Sequence, residues 1–174
     1  MLMGNTLKML KGAPEPVTKP KPALPSSVDI HLVDILSGLD EKQKQQFKGI
    51  GYIENYESNA IICTEGAEAQ KFYLVERGQV AATAQVTPGV RFPISIINAG
   101  YAFGWSALVS PYRYTATCTA LFKTRLMAFE REALLLMMQT HPSLGLNIMQ
   151  NIAGTIASRL RTVELALVGL LQKS

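Results

Sequence analysis

The chain has 174 residues, enough for one domain with a substantial core and too few for two comfortable ones. Hydrophobic residues make up 48% and charged residues 17%, so the chain is expected to fold, and the low charge points to apolar surface hidden by self-association. The net charge is +4, yet six lysines fall between Lys8 and Lys44, which leaves the rest close to neutral and without the clustered charge that nucleic-acid binding requires.

Two cysteines, Cys63 and Cys118, each lie in an apolar stretch and read as buried free thiols, since a disulfide framework would need more of them. No run of about 18 apolar residues occurs and the N-terminus lacks a signal-peptide segment, so a cytoplasmic location is expected and neither membrane spanning nor secretion is supported.

In chain order, residues 1–27 read as a flexible proline-rich leader. Five prolines between Gly12 and Ser27 remove amide donors and favour an extended, solvated path. A single domain is expected over 28–174. Leu32, Ile35, Leu36, Leu39 and Phe47 follow mostly helical spacing, and Asp40 with Gln43 three residues on forms a capping box, which predicts two short helices.

Between about Gly51 and Glu130 the text becomes short strands rich in Ile, Val, Tyr and Thr. Turn signals interrupt them at Ser58-Asn59, Glu65-Gly66, Arg77-Gly78, Pro88-Gly89 and Ala99-Gly100. Turns about every ten residues predict an antiparallel all-β roll or barrel. Helical period then returns: Arg131 to Gln139 reads as one helix, His141-Pro142 breaks it, and Ser143 is placed to cap a long last helix. There Met149, Ile152, Ile156, Leu160, Val163, Leu167 and Leu170 recur at steps of three or four, close to a coiled-coil seam. A helix approaching 30 residues, roughly 40 Å at 1.5 Å per residue, exceeds what a small roll covers, so a homodimer contact over Met149 to Leu171 is expected. The alternative is that the stripe packs on the roll of its own chain.

The string Ile61 to Ala82, IICTEGAEAQKFYLVERGQVAA, with Gly66 and Gly78 at its turns, resembles the cyclic-nucleotide-binding domain family. Asn98 to Leu121, NAGYAFGWSALVSPYRYTATCTAL, is similar to that family's phosphate-binding cassette, and the resemblance spans about Val28 to Leu171. It implies a mainly β fold with flanking helices: an antiparallel, jelly-roll-like β-roll closed by a long C-terminal helix. It implies too a regulatory module that binds a small anionic ligand, of the cyclic AMP or cyclic GMP class, at the Gly104–Val109 turn. Cyclic-AMP receptor proteins carry a DNA-reading helix-turn-helix domain after the long helix; this chain ends at Ser174, resembles the sensing half alone, and Arg159 and Arg161 do not supply a recognition face.

Two cassette positions depart from the family's pattern. Trp105 stands where a glutamate usually holds the ribose hydroxyl, and indole offers only a donor. Alignment on Gly104 places Tyr114 where an arginine usually meets the phosphate, with Arg113 one residue early, and a slip of one residue on a strand reverses the side chain's face. The ligand-facing set implied by the resemblance is Gly104, Trp105, Ser106, Ala107, Arg113, Tyr114 and Thr115, with either Arg113 or Tyr114 turned inward. The other reading is a degenerate roll whose aromatic side chains close the pocket and which serves as a dimerisation or protein-interaction scaffold.

No enzyme is expected. Glu65, Glu68, Glu76, Glu130, Glu132 and Glu164 are scattered, Glu65 reads as an exposed turn carboxylate, His31 and His141 have no metal-ligand spacing, and Ser106 lacks the nucleophile-elbow glycines. No cofactor or metal is implied.

Overall fold

A computed structural model describes residues 35–171 of the chain. The proline-rich leader, Leu32 and the beginning of the first expected helix lie outside the described residues, as do the side chains of Val163, Leu167 and Leu170. What is described of that first expected helix is a turn over 35–38, in which the Leu39 amide donates to the Leu36 carbonyl at 3.3 Å. Ser37 and Gly38, both weak helix formers, stop the apolar spacing from continuing as a helix.

Helix α1 (Glu41–Gly49) starts as its capping box requires. The Gln43 amide donates to the Asp40 carboxylate at 2.8 Å, and the Asp40 amide donates to the Gln43 side chain at 3.1 Å. Eight strands follow: β1 (Tyr52–Tyr56), β2 (Ile61–Cys63), β3 (Lys71–Arg77), β4 (Gln79–Thr87), β5 (Val90–Asn98), β6 (Ala102–Phe103), β7 (Thr117–Ala120) and β8 (Thr124–Glu130). They pair antiparallel into two four-stranded sheets, β1-β8-β3-β6 and β2-β7-β4-β5. Every turn signal read from the sequence holds a residue of positive φ, from Asn59 at 66° to Gly78 at 96°.

Alternation along β3 shows how the two cores are divided. Tyr73 and Val75 point between the sheets, where they join Val80, Ile97, Phe103, Cys118 and Leu126. Phe72 and Leu74 point to the other face and meet Phe47, Phe129, Leu134 and Ile148 of the helical layer. Four consecutive buried residues on one strand require both of its faces to be covered, and the period of two assigns each residue its layer. The Phe47 and Phe129 rings stack at 4.4 Å between centroids and fasten α1 to β8.

Helix α2 (Arg131–Thr140) leads into α3 (Pro142–Leu171), which begins at Pro142 rather than after a Ser143 cap. The proline lacks an N–H that the first helical turn would leave unbonded anyway, and its fixed φ suits the first helical position. Leu144, Ile148, Ile152 and Thr155 bury one face of α3, while Asn151 donates to the carbonyls of Ile35 and Ser37 at 3.0 and 2.8 Å. From the expected seam Ile152 is buried in this core, whereas Ile156 and Leu160 are exposed.

Candidate functional site

Gly104 opens the site. Its φ of +82° belongs to the left-handed region, and a Cβ there would stand 2.9 Å from the Lys71 carbonyl oxygen, so only glycine lets the chain turn this close to β3. A single 3₁₀ turn, Trp105–Ala107, follows. The amides of Ala107 and Leu108 donate to the carbonyls of Gly104 and Trp105 at 3.0 and 2.9 Å, so both are already used within the turn.

Beside this turn lies a cavity of about 180 Å³ between the second sheet and α3. Gly104, Trp105, Ser106, Tyr114 and Thr115 of the expected set line it, together with Cys63, Ile97, Phe103, Cys118 and Arg159. Ala107 does not; it is fully buried in the core between the sheets. Arg113 is outside as well. Its guanidinium donates to the Gly66 carbonyl at 2.8 Å, and its backbone bridges Glu68 on the exposed side of the roll.

Of the two alternatives at this position, the inward side chain is Tyr114. Its hydroxyl donates to the Lys71 carbonyl at 2.8 Å and accepts from the Lys71 amide at 3.1 Å, and burial pushes its pKa up. The one-residue slip against Gly104 therefore turns the arginine to solvent and puts a neutral, already satisfied phenol in the wall. Glu65 also has a defined role: it accepts from the Gln85 amide at 2.8 Å and so ties the turn after β2 to β4.

The cavity's charge comes from elsewhere. Arg159 reaches over the Trp105 ring with its guanidinium carbon 4.4 Å from the ring centroid. Its Nε and Nη2 are buried and meet no hydrogen-bond partner. Burial pulls the guanidinium down to about 10, which still leaves it cationic at neutral pH. Buried donors that stand unpartnered on a residue of the cavity wall suit an anion. Reasoning from the cassette missed this residue, although the sequence held a signal for it: Arg159 follows Ile148, Ile152 and Thr155 at steps of four, three and four, on the face of α3 that meets the roll.

Cys63 and Cys118 are free, buried and paired across β2 and β7. Among the described residues no group of three or more His, Cys, Asp or Glu is placed to hold a metal ion, and no helix is long and apolar enough to cross a membrane.

A family model, the cyclic nucleotide-binding domain, matches residues 53–141, which takes in the strands from β1 to β8, the Gly104 turn and α2. The chain belongs to the cyclic nucleotide-binding domain family. Its fold is that of a regulatory ligand-sensing module. The catabolite activator protein of Thermus thermophilus is similar at a TM-score of 0.69 and 25% identity, over 79% of this chain and 62% of that one. A cyclic nucleotide-binding domain from Methylobacillus flagellatus KT has a TM-score of 0.71 at 16% identity over 79% and 82% of the two chains, a likeness of fold alone. Glutaminase 1 of Bradyrhizobium diazoefficiens is 31% identical over 130 residues, covering 72% of this chain and 20% of that protein, so the chain spans about a fifth of this relative's length.

Proposed function

We propose that this domain senses a small anion, bound in the cavity beside the Gly104 turn and held by Arg159 of α3, and that the anion's presence biases the position of α3. The observation that carries the reading is the pair of buried, unpartnered guanidinium donors over Trp105. An anion bound there joins α3 to the roll, and it shifts the helix to the extent that it binds one helix position better than another. The ligand set is then Gly104, Trp105, Ser106, Tyr114 and Thr115 with Arg159 added, while Ala107 and Arg113 fall away.

A cyclic nucleotide is a poor fit to this cavity. Its volume of about 180 Å³ lies below the roughly 300–1,000 Å³ of pockets that enclose drug-sized ligands. Trp105 offers the ribose no acceptor, and Arg113 is spent on Gly66. A compact carboxylate or phosphate suits one guanidinium and the apolar wall better. The match to a glutaminase raises an enzymatic reading, against which stands the wall itself: among the described residues its ionisable groups are Cys63, Cys118, Tyr114 and Arg159, with neither carboxylate nor histidine for proton transfer.

Isothermal titration of the chain with cyclic AMP, cyclic GMP, inorganic phosphate and acetate tests this reading, with Arg159→Met and Arg113→Ala alongside. Saturable binding of an anion that Arg159→Met abolishes and Arg113→Ala leaves intact supports it. Heat from none of the four overturns it in favour of a scaffold without ligand, and binding that survives Arg159→Met overturns Arg159 as the residue that holds the anion.

A specific feature favours self-association as part of the same function. Ile156 and Leu160 are exposed at 39% and 59% on the face of α3 next to the one that carries Ile152 and Arg159. We infer that this face pairs with a second copy of α3, so that an anion at Arg159 acts on a helix shared by two domains.

A further inference from the structure

The cavity wall opposite Arg159 carries two sulfurs that anion binding does not use. Cys63 and Cys118 stand directly opposite one another in the antiparallel register of β2 and β7. Directly opposed residues on antiparallel strands have Cα atoms about 4.5–5.5 Å apart. The register shift between Ile61 and Cys63 sets Cys63 opposite Cys118, and a separation of that order falls within the roughly 4.4–6.8 Å that a disulfide spans. Both side chains line the same cavity, and Cys63 also borders a second groove with Tyr56, Lys71 and Tyr114 on the outer side of the roll.

The two thiols are chemically unequal. The neighbouring Cys118 thiol draws the Cys63 pKa down against the effect of burial, and the Cys63 thiol donates to the Ala116 carbonyl at 3.9 Å. Contact with Cys63, together with burial, holds Cys118 protonated, while the Arg159 charge acts on Cys118 in the opposite sense. Cys63, which borders both the cavity and the groove, is the sulfur placed to meet an oxidant, and Cys118, which borders the cavity alone, to supply the second bond.

We propose that Cys63 and Cys118 form an oxidisable dithiol, a modification site at which a small hydroperoxide closes a disulfide between β2 and β7. In the first step the Cys63 thiolate attacks the distal peroxide oxygen; an S–O bond forms, the O–O bond breaks, and the leaving alkoxide or hydroxide departs as alcohol or water after taking a proton. In the second, the Cys118 sulfur attacks the Cys63 sulfenic acid; the S–S bond forms, the S–O bond breaks, and water leaves with the Cys118 proton. Two thiols are oxidised by two electrons in all, and one hydroperoxide is reduced. The cavity of about 180 Å³ admits an oxidant of a few heavy atoms. Because both sulfurs belong to the wall facing Arg159, the state of the dithiol sets that wall.

The test uses the reduced full chain treated with hydrogen peroxide, followed by thiol titration under denaturing conditions, intact mass and a non-reducing gel. The expected result is loss of both thiols together, a mass lower by two hydrogens, no crosslinked dimer, and full recovery with dithiothreitol. With dimedone present, Cys118→Ser is expected to carry an adduct on residue 63, and Cys63→Ser to react at least about tenfold more slowly at residue 118. Thiols that survive peroxide doses sufficient to oxidise glutathione in the same tube overturn the proposal, as does a disulfide that forms only between separate chains. The wild-type measurement stands without either variant, and none of these readouts requires an anion to bind.

Discussion

The guanidinium of Arg159 lies on the Trp105 ring at 4.4 Å, so the one tryptophan of the chain and a buried cation from α3 together close the cavity that the Gly104 turn opens. The contact joins the last helix to the cassette. Trp105 cannot accept a hydrogen bond, so its π face is what it offers the cation, and the Nε and Nη2 donors stay unmatched.

That arrangement carries a cost in stability. A buried donor left without an acceptor costs about 1–3 kcal/mol, and more if charged. The desolvated cation–π contact returns about 2 kcal/mol, less than the two unmatched charged donors cost together. Arg159→Met is therefore expected to melt higher than the wild-type protein while losing anion binding, and added phosphate or acetate to raise the melting temperature of the wild type alone. Thermal melts of both proteins with and without each anion check this; a lower melting temperature for Arg159→Met would mean that its stem and ring contact outweigh the desolvated charge.

Adjacent residues 113 and 114 are expected to behave oppositely. Tyr114→Phe keeps the ring but strips the Lys71 carbonyl and amide of their partner, which costs about 1–3 kcal/mol in a buried setting. Arg113→Ala removes one exposed bond to Gly66 and is expected to change stability by no more than about 0.5 kcal/mol. Urea denaturation of the pair decides between them, and equal losses would contradict the inward and outward assignment.

These two residues also mark where the sequence was legible and where it was not. The roll, its turns, the Asp40 cap and the long helix follow from periodicity and turn chemistry, which act between near neighbours in the chain. Whether Arg113 or Tyr114 faces inward hinged on the parity of one residue, fixed by how 112–114 pair with 66–69, a non-local pairing. Arg159 lay further out of reach, because its role depends on α3 folding back over the cassette. The spacing of Ile148, Ile152 and Thr155 placed it on the packed face, but only the tertiary contact sets it against Trp105. The Cys63 and Cys118 pair was hidden in the same way, its two halves lying on strands far apart in the chain.

Gly78 and Gly100 separate backbone strain from crowding. Both have positive φ, 96° and 89°, but a Cβ on Gly78 would stand 2.9 Å from the Lys123 carbonyl oxygen and 2.5 Å from Thr124 Oγ1, whereas at Gly100 it meets nothing within 4 Å. Gly100→Ala is expected to cost about 1–2 kcal/mol from the left-handed conformation alone, and Gly78→Ala clearly more, since backbone at β8 has to move. Chemical denaturation of the two variants measures the difference, and equal costs would show that the β3–β4 turn relaxes freely.

The outer face of the first sheet sets an acid limb of stability. Burial pushes the Glu54 carboxyl up, but the Lys71 ammonium at 2.7 Å and the Tyr56 hydroxyl at 2.6 Å outweigh it and hold its pKa below the ordinary 4.5. A depressed folded-state value means that the stabilisation is complete above the unfolded carboxyl's pKa and is lost as pH falls through the lower folded value. Glu54→Gln is expected to remove about 1 kcal/mol at neutral pH and progressively less below pH 4.5. Denaturation curves across that window check the convergence; a constant gap between variant and wild type would assign Glu54 a packing role instead.

The exposed part of α3 gives the final prediction. Ile156 and Leu160 present apolar surface beside the packed Ile148, Ile152 and Thr155 face, and Leu165 and Val168 continue apolar exposure to the end of the described helix at 63% and 48%. A 30-residue helix with one face on its own roll and apolar side chains exposed beyond it favours a partner helix. Leu160→Glu places a charge on that surface without entering the roll, so it is expected to shift the protein from dimer to monomer in sedimentation velocity while the folded signal of the roll remains. Retention of the dimer in Leu160→Glu would move the interface to another surface; a monomer in the wild type at the same concentration would confine Arg159's action to a single chain.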